Sequence, residues 1–552
     1  MSTQLKPQKS LNQVIQIFLL GFILLAILLR LVTTSHNIYF DRDEVRKLLR
    51  TSGVKVEQFL QETYDSEIVS SQQFLNKYQW VCRQCNSSQN LWIALQENRE
   101  HPPLYYVSLN QFLRAFGSIL NPKIFSVFIS IITLPVIYWL TLELFQDRLA
   151  SLISTTLMAW SPFQFAMSQH VSQYSLAVFL SAISTAILCH ALRYKGYRTL
   201  FFLAYTVTTL CGIYTHLFYI FLPLSHLVYL LAIRAWKPLL LASISILVSI
   251  GGFMPWVLGI ISAKQDFKAS TRLEMEVLQT QQDFLQQLRR SSTFIVQTLF
   301  RKSSNISLMN DDFVGNLGVG LLSLLLLALL TYFLMRQTCQ FRTNWLIVIA
   351  IYTTTLPIIL ASSLLGHGFA DRVRYYLPTT IFILIGIAFL ISKLLSSRNS
   401  QIFGAGGLAF LLFLTIFSTA YSASKVISHE VEGAQIGPGY QQAAIAINAS
   451  SHALVVSNEE YVKVLMFVHR LSPETDLLLT SKNNEELVGL LRSYPSLASY
   501  QDIFVFNPSR KLIDLLNGSQ VEVETVPQRW NTPVIYHLKS IPAILLQKLL
   551  QK

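Results

Sequence analysis

The chain has 552 residues, of which 52% are hydrophobic and only 13% charged, with a mean hydropathy of +0.43. A soluble protein of this length needs far more charge to cover its surface, and the apolar residues gather into runs near the roughly 20 that a helix needs to cross a bilayer. The net charge of +13 sits in short turns such as Arg193/Lys195/Arg198, Arg234/Lys237 and Arg336/Arg342. No basic stripe with interleaved aromatics tracks a phosphate backbone, so nucleic acid is excluded as a partner and the charge encodes topology.

The first apolar run, about Val14 to Val32, lacks a small-residue cleavage site and is expected to remain as a first span. Further spans are expected at 123–145, 149–167, 174–193, 199–215, 217–234, 238–260, 314–336, 343–363, 376–394 and 401–421, about eleven with 13–34. That count places the N-terminus inside and the C-terminal part outside the cytoplasmic membrane. The pair covering 199–234 is expected to hinge near Tyr214-Thr215-His216.

Two external loops are long, 35–122 and 262–313. In the first, Leu109, Phe112, Leu113 and Phe116 recur at the spacing of one helical face, after a Pro102-Pro103 start. The second is similarly amphipathic around Phe284, Leu285 and Leu288. Both are expected to lay helices on the membrane surface, against lipid. Cys82 and Cys85 form a C-x-x-C without a second ligand pair, which reads as a local disulfide or two free thiols rather than a zinc site. Cys189, Cys211 and Cys339 lie in or beside spans and read as packed thiols.

Beyond Tyr421 the composition changes. Strand-like runs at His452–Ser457, Asp476–Thr480, Asp502–Asn507 and Val534–Leu538 alternate with helical stretches around Glu459–His469 and Glu485–Arg492. That alternation predicts a small soluble α/β domain over 422–552 with a parallel sheet, beside a membrane domain over 1–421.

Three segments carry chemistry. Asp43 and Glu44 lie just beyond the first span, where a carboxylate can deprotonate a hydroxyl or hold a divalent metal; a solvated acidic turn is the plain alternative. Glu100-His101-Pro102-Pro103-Leu104-Tyr105-Tyr106 has a diproline that fixes the approach of His101 and the tyrosines. Arg372-Val373-Arg374-Tyr375-Tyr376-Leu377-Pro378 opens a late span, where arginine can fork onto phosphate or serve as an interfacial anchor.

Taken in order with IYWLTLELF at 137–145, SPF at 161–163, Gln169-x-x-x-Gln173-Tyr174-Ser175-Leu176 and Tyr214-Thr215-His216, these segments resemble the bacterial glycosyltransferase family 39 and protein O-mannosyltransferase-like group. The resemblance covers about 35–395. It implies the GT-C fold and transfer of a monosaccharide from a polyprenyl-phosphate-linked donor to a lipid, glycan or protein acceptor on the external face, by inversion. It further implies Asp43 as base with Glu44 in support, and His101, Tyr105, His170, Tyr174, His216, Arg372, Arg374 and Tyr375 as donor- or acceptor-binding residues. No cofactor is fixed by the pattern, and a divalent metal ion stays open. Relatives commonly carry an acid and an arginine where this chain has His170 and Ser172. That departure keeps open a non-catalytic binding or assembly scaffold. A lipid-linked sugar transporter is the weaker alternative, because ionisable residues are scarce inside the spans.

Overall fold

The computed structural model describes residues 6–37, 39–81, 88–97, 99, 101–117, 121–194, 196–262, 295–296, 298–299, 313–337, 341–365, 373–428, 437–493, 497, 499–518, 523–525 and 535–538. They fall into two compact units. One comprises Met1–His36, Asn98–Tyr105 and Pro122–Ser428, the other Asn37–Glu97, Tyr106–Asn121 and His429–Lys552.

Among the described residues the first unit is helical: α1 (Lys6–His36), α7 (Lys123–Phe145), α8 (Arg148–Trp160), α9 (Pro162–Ser168), α10 (Tyr174–Arg193), α11 (Arg198–Ile213), α12 (Phe221–Ala232), α13 (Trp236–Ser262), α14 (Phe313–Arg336), α15 (Phe341–Leu365), α16 (Leu377–Ser396) and α17 (Gln401–Ile427). Among the described residues, seven helices are long and apolar enough to cross a membrane. Helix occupies every expected span, but several are shorter than a full crossing. The expected 149–167 span is broken at Ser161, because Pro162 has no N–H and disfavours helix at the residue before it. The carbonyls freed by the break find donors on other helices. Arg30, buried in α1, donates to the Ala159 carbonyl at 2.5 Å, and Thr419 of α17 donates to Trp160 at 2.7 Å. Irregular backbone at membrane depth needs such partners.

The 199–234 region does hinge. After α11 the chain turns through Tyr214–His216 into a short 3-10 helix, Leu217–Ile220, and continues as α12. Gly212 makes room for this turn, since a Cβ there would lie 2.1 Å from the Tyr219 ring. His226 is fully buried in α12, its ring nitrogens 2.9 Å from the Tyr205 hydroxyl and 3.1 Å from Thr185 Oγ1. It is a satisfied interior histidine.

The second unit joins the first long loop to the C-terminal region. It holds α2 (Arg42–Thr51), α3 (Val56–Thr63), β1 (Asp65–Ser70), α4 (Ser71–Tyr78), α5 (Ser88–Gln96), most of α6 (Leu104–Phe116), α18 (Gly437–Asn448), β2 (Ala453–Ser457), α19 (Tyr461–Val468), β3 (Asp476–Thr480), α20 (Asn484–Ser493), β4 (Asp502–Phe506), α21 (Arg510–Gly518), β5 (Val523–Thr525) and β6 (Ile535–Leu538). These strands form one six-stranded sheet in the order β1-β3-β2-β4-β6-β5. Strands β3, β2 and β4 are parallel, as the alternating pattern predicts, and antiparallel strands flank them. The boundary expected at 421 therefore separates residues that fold together: β1 comes from the first loop and pairs Ile68 with Leu478. The apolar face of α6 also differs from expectation. Leu109 and Leu113 are buried within the protein, while Phe116 is exposed. The Phe284–Leu288 segment, Cys82, Cys85 and Cys339 lie outside the described residues.

Candidate functional site

The acidic segment starts α2, in the second unit. Asp41 is its N-cap, accepting the Glu44 N–H at 2.8 Å, while the Glu44 carboxylate accepts the Asp41 N–H at 2.8 Å. This is a capping box, which satisfies two helix-terminal donors reciprocally. Glu44 is 2% exposed. In this position it builds the helix start. Asp43 occupies the first turn and takes no part in the box. Asp41 and Glu44 bring carboxylate oxygens close together, hard donors of the kind a divalent ion such as Mg2+ accepts.

Residues of the C-terminal region reach this helix start. Arg42 and Arg46 reach Glu460 at 3.0 and 3.8 Å. The Arg470 guanidinium lies over the Tyr39 ring at 4.8 Å and the Tyr440 ring at 5.7 Å. Burial pushes Arg470 down to about 10, against the opposing pull of the Tyr39 and Tyr440 hydroxyls, so it stays charged at neutral pH. Burial also pushes the Tyr39 hydroxyl up.

In the first unit, three sequence motifs converge on one cleft. Tyr174 opens α10. His216 caps the 3-10 turn, its Nδ1 accepting the Phe218 N–H at 3.3 Å, which fixes the ring. Arg374 and Tyr375 lie in a second 3-10 turn, Val373–Tyr376, that leads into α16. The rings of Tyr174, His216 and Tyr375 pack with centroids 5.4 to 6.4 Å apart. The Arg374 guanidinium lies 5.8 Å from the Tyr174 ring centre. A cation over an aromatic face at a half-buried cleft suits an anionic group carried by an otherwise weakly polar ligand. Ala177, Leu222 and Ile358 add apolar lining, with hydroxyls from Ser181 and Thr354.

A fourth motif is tied to this cleft's framework by backbone. The Leu104 N–H, just past the diproline, donates to the Tyr214 carbonyl at 3.0 Å. His101 is half-buried in that turn and does not line the cleft. Tyr105 is corrected from ligand to core: it is fully buried, 3.2 Å from Ser126 and packed on Phe125. His170 lies half-buried in the turn between α9 and α10, also off the cleft. Beside it Ser172 is buried, its hydroxyl without a hydrogen-bond partner among the described residues. Arg372 lies outside the described residues. Phe218 was missed by sequence reasoning; its ring packs 5.0 Å from Tyr375, and its only signal is its place two residues after His216.

No family model matches the chain, and no curated protein matches it. Among solved structures, ArnT from Cupriavidus metallidurans in the apo state is similar at 13% identity and a TM-score of 0.51, over 96% of this chain and 98% of that one. The same protein bound to undecaprenyl phosphate is similar at 13% identity and a TM-score of 0.51, over 94% and 98%. The Archaeoglobus fulgidus oligosaccharyltransferase in the apo form shares 9% identity at a TM-score of 0.46, over 88% of this chain and 69% of that one. Near-complete coverage in both directions with ArnT, together with the helices described above, fixes the architecture. The chain is a multi-pass membrane protein with the GT-C fold.

Proposed function

We propose that the protein is a membrane glycosyltransferase that moves a monosaccharide from a polyprenyl-phosphate-linked donor to a lipid, glycan or protein acceptor, on the external face of the cytoplasmic membrane. The observation that carries this reading is the convergence of Tyr174, His216, Arg374 and Tyr375 on one cleft, from motifs up to two hundred residues apart in a GT-C chain. That the similar ArnT was solved with undecaprenyl phosphate supports the donor class. In this reading Arg374 binds the donor phosphate, which leaves as the sugar is transferred. Asp43 takes the proton of the acceptor hydroxyl as the new glycosidic bond forms with inversion. A divalent ion, where transfer requires one, would be held by the carboxylates at the start of α2, and chelation with EDTA tests that requirement. The decisive experiment compares lipid-linked and envelope glycans by mass spectrometry with and without the protein. Loss of one hexose or pentose increment is expected; identical glycan profiles would overturn the proposal.

A further inference from the structure

Asp43 lies in the first turn of α2, three and four residues after Phe40 and Tyr39, and that turn is tied to a distant stretch of chain. The Phe40 ring lies 4.5 Å from the His469 ring and 6.3 Å from Trp80, and Trp80 in turn lies 5.5 Å from His469. Tyr39 is held under the Arg470 guanidinium. Both partners sit at the C-terminal end of α19, in residues contributed by the C-terminal region.

A second tie runs through Gln79. Its side-chain amide donates to the Val45 carbonyl at 3.2 Å, in the first half of α2, and its Oε1 lies 3.0 Å from His469 Nε2. The amide orientation then makes His469 Nε2 a donor, so the imidazole both packs on Phe40 and bonds the residue that holds α2. The third tie is Glu460, at the opposite end of α19, which engages Arg42 and Arg46. As a half-exposed pair it contributes little alone. Its geometric role is greater, because Arg42 and Arg46 flank the turn that carries Asp43.

From these contacts we infer that α19 and the residues after it clamp the start of α2, with His469, Arg470 and Glu460 acting as positioning residues for Asp43. The inference rests on the reading of Asp43 as the reacting carboxylate. A helix is stiff over one turn, so fixing the entering chain at Tyr39–Phe40 and the Val45 carbonyl leaves the Asp43 backbone little freedom. A carboxylate that must meet a hydroxyl loses much of its effect when displaced by about 1 Å. The C-terminal region thereby becomes part of the reaction's framework, though none of the three residues needs to touch substrate.

The test uses the full chain in detergent and reads amide hydrogen exchange beside transfer. In His469→Ala/Arg470→Met, amides over 42–51 are expected to exchange at least about tenfold faster, while strands β2 and β4 keep their protection and so report an intact fold. His469→Phe retains a ring against Phe40 and should restore most of the protection; Glu460→Gln, the mildest change, should give a smaller acceleration. Transfer should lose kcat with little change in KM for the donor, since the donor cleft is untouched. Exchange over 42–51 within about twofold of the parent in the double variant would overturn the clamp. Accelerated exchange with unchanged kcat would overturn the positioning role. Asp43→Asn, measured alongside, tests the underlying reading separately, because full transfer by that variant removes Asp43 from the chemistry whatever the exchange shows.

Discussion

Glu44 and Asp43 are neighbours in sequence with opposite expected responses to loss of charge. Glu44→Gln removes a carboxylate but keeps an acceptor for the Asp41 N–H, and glutamine is an accepted third residue of a capping box. The helix start should survive, with a smaller stability loss than in Asp41→Ala. Asp41→Ala removes the other half, the 2.8 Å acceptor of the Glu44 N–H, and should cost about 0.5–2 kcal/mol. Asp41→Asn should spare most of that, since asparagine caps as well as aspartate. Asp43→Asn leaves the box untouched and removes only the proposed base, so transfer should fall by about 10²–10⁴ with folding intact. The assay pairs transfer from a polyprenyl-phosphate sugar with thermal unfolding of the purified protein in detergent. Equal loss of transfer in Glu44→Gln and Asp43→Asn would refute the division of labour. So would a Glu44→Gln protein as destabilised as Asp41→Ala.

Arg374→Ala should raise KM for the phosphate-bearing donor by about tenfold or more, with Arg374→Lys in between, because lysine keeps the charge but not the fork; unchanged donor affinity would return Arg374 to an anchor role. Gly212→Ala should destabilise by about 1–3 kcal/mol, since its methyl would meet the Tyr219 ring at 2.1 Å. Adding Tyr219→Leu should recover part of that loss in thermal unfolding, and an unaltered midpoint in the single variant would contradict the packing. Thr419→Val should cost about 1–3 kcal/mol by leaving the Trp160 carbonyl without its 2.7 Å donor, whereas Thr419→Ser should be nearly neutral. Restoring the acid and arginine of relatives, His170→Glu with Ser172→Arg, should lower transfer if this site has been retuned; a rise from none would favour a scaffold that had lost catalysis.

The parts of this fold that sequence conveys are those whose signal is local. The strands at 453–457, 476–480 and 502–506 are apolar runs introduced by polar residues, and the expected boundaries differ from the observed ones by at most one residue. Strand β1, DSEIVS, has two apolar residues and pairs with a strand some four hundred positions later, a contact that no periodicity announces. Within the candidate site, Tyr174, His216, Arg374 and Tyr375 were recoverable because each sits at a helix start marked by its motif. The role of Glu44 was written in the sequence too, as acid-x-x-Glu, but adjacency to Asp43 suggested shared chemistry when a three-residue offset governs. Tyr105 shows the reverse: a motif tyrosine whose partners, Ser126 and Phe125, come from the next helix and turn it into core.

The mixed ancestry of the six-stranded sheet also sets a schedule for biogenesis. Strand β1 is synthesised roughly 400 residues before its partner β3, which at about 5–20 residues per second leaves it unpaired for tens of seconds. During that interval the helices of the first unit can insert, but the second unit cannot close. The acidic helix belongs to that late unit, and a ribosome that stops before β3 leaves it without its sheet. Completion of translation thus becomes a condition for an ordered acidic helix, so that chains truncated within the C-terminal region should insert and yet be inert.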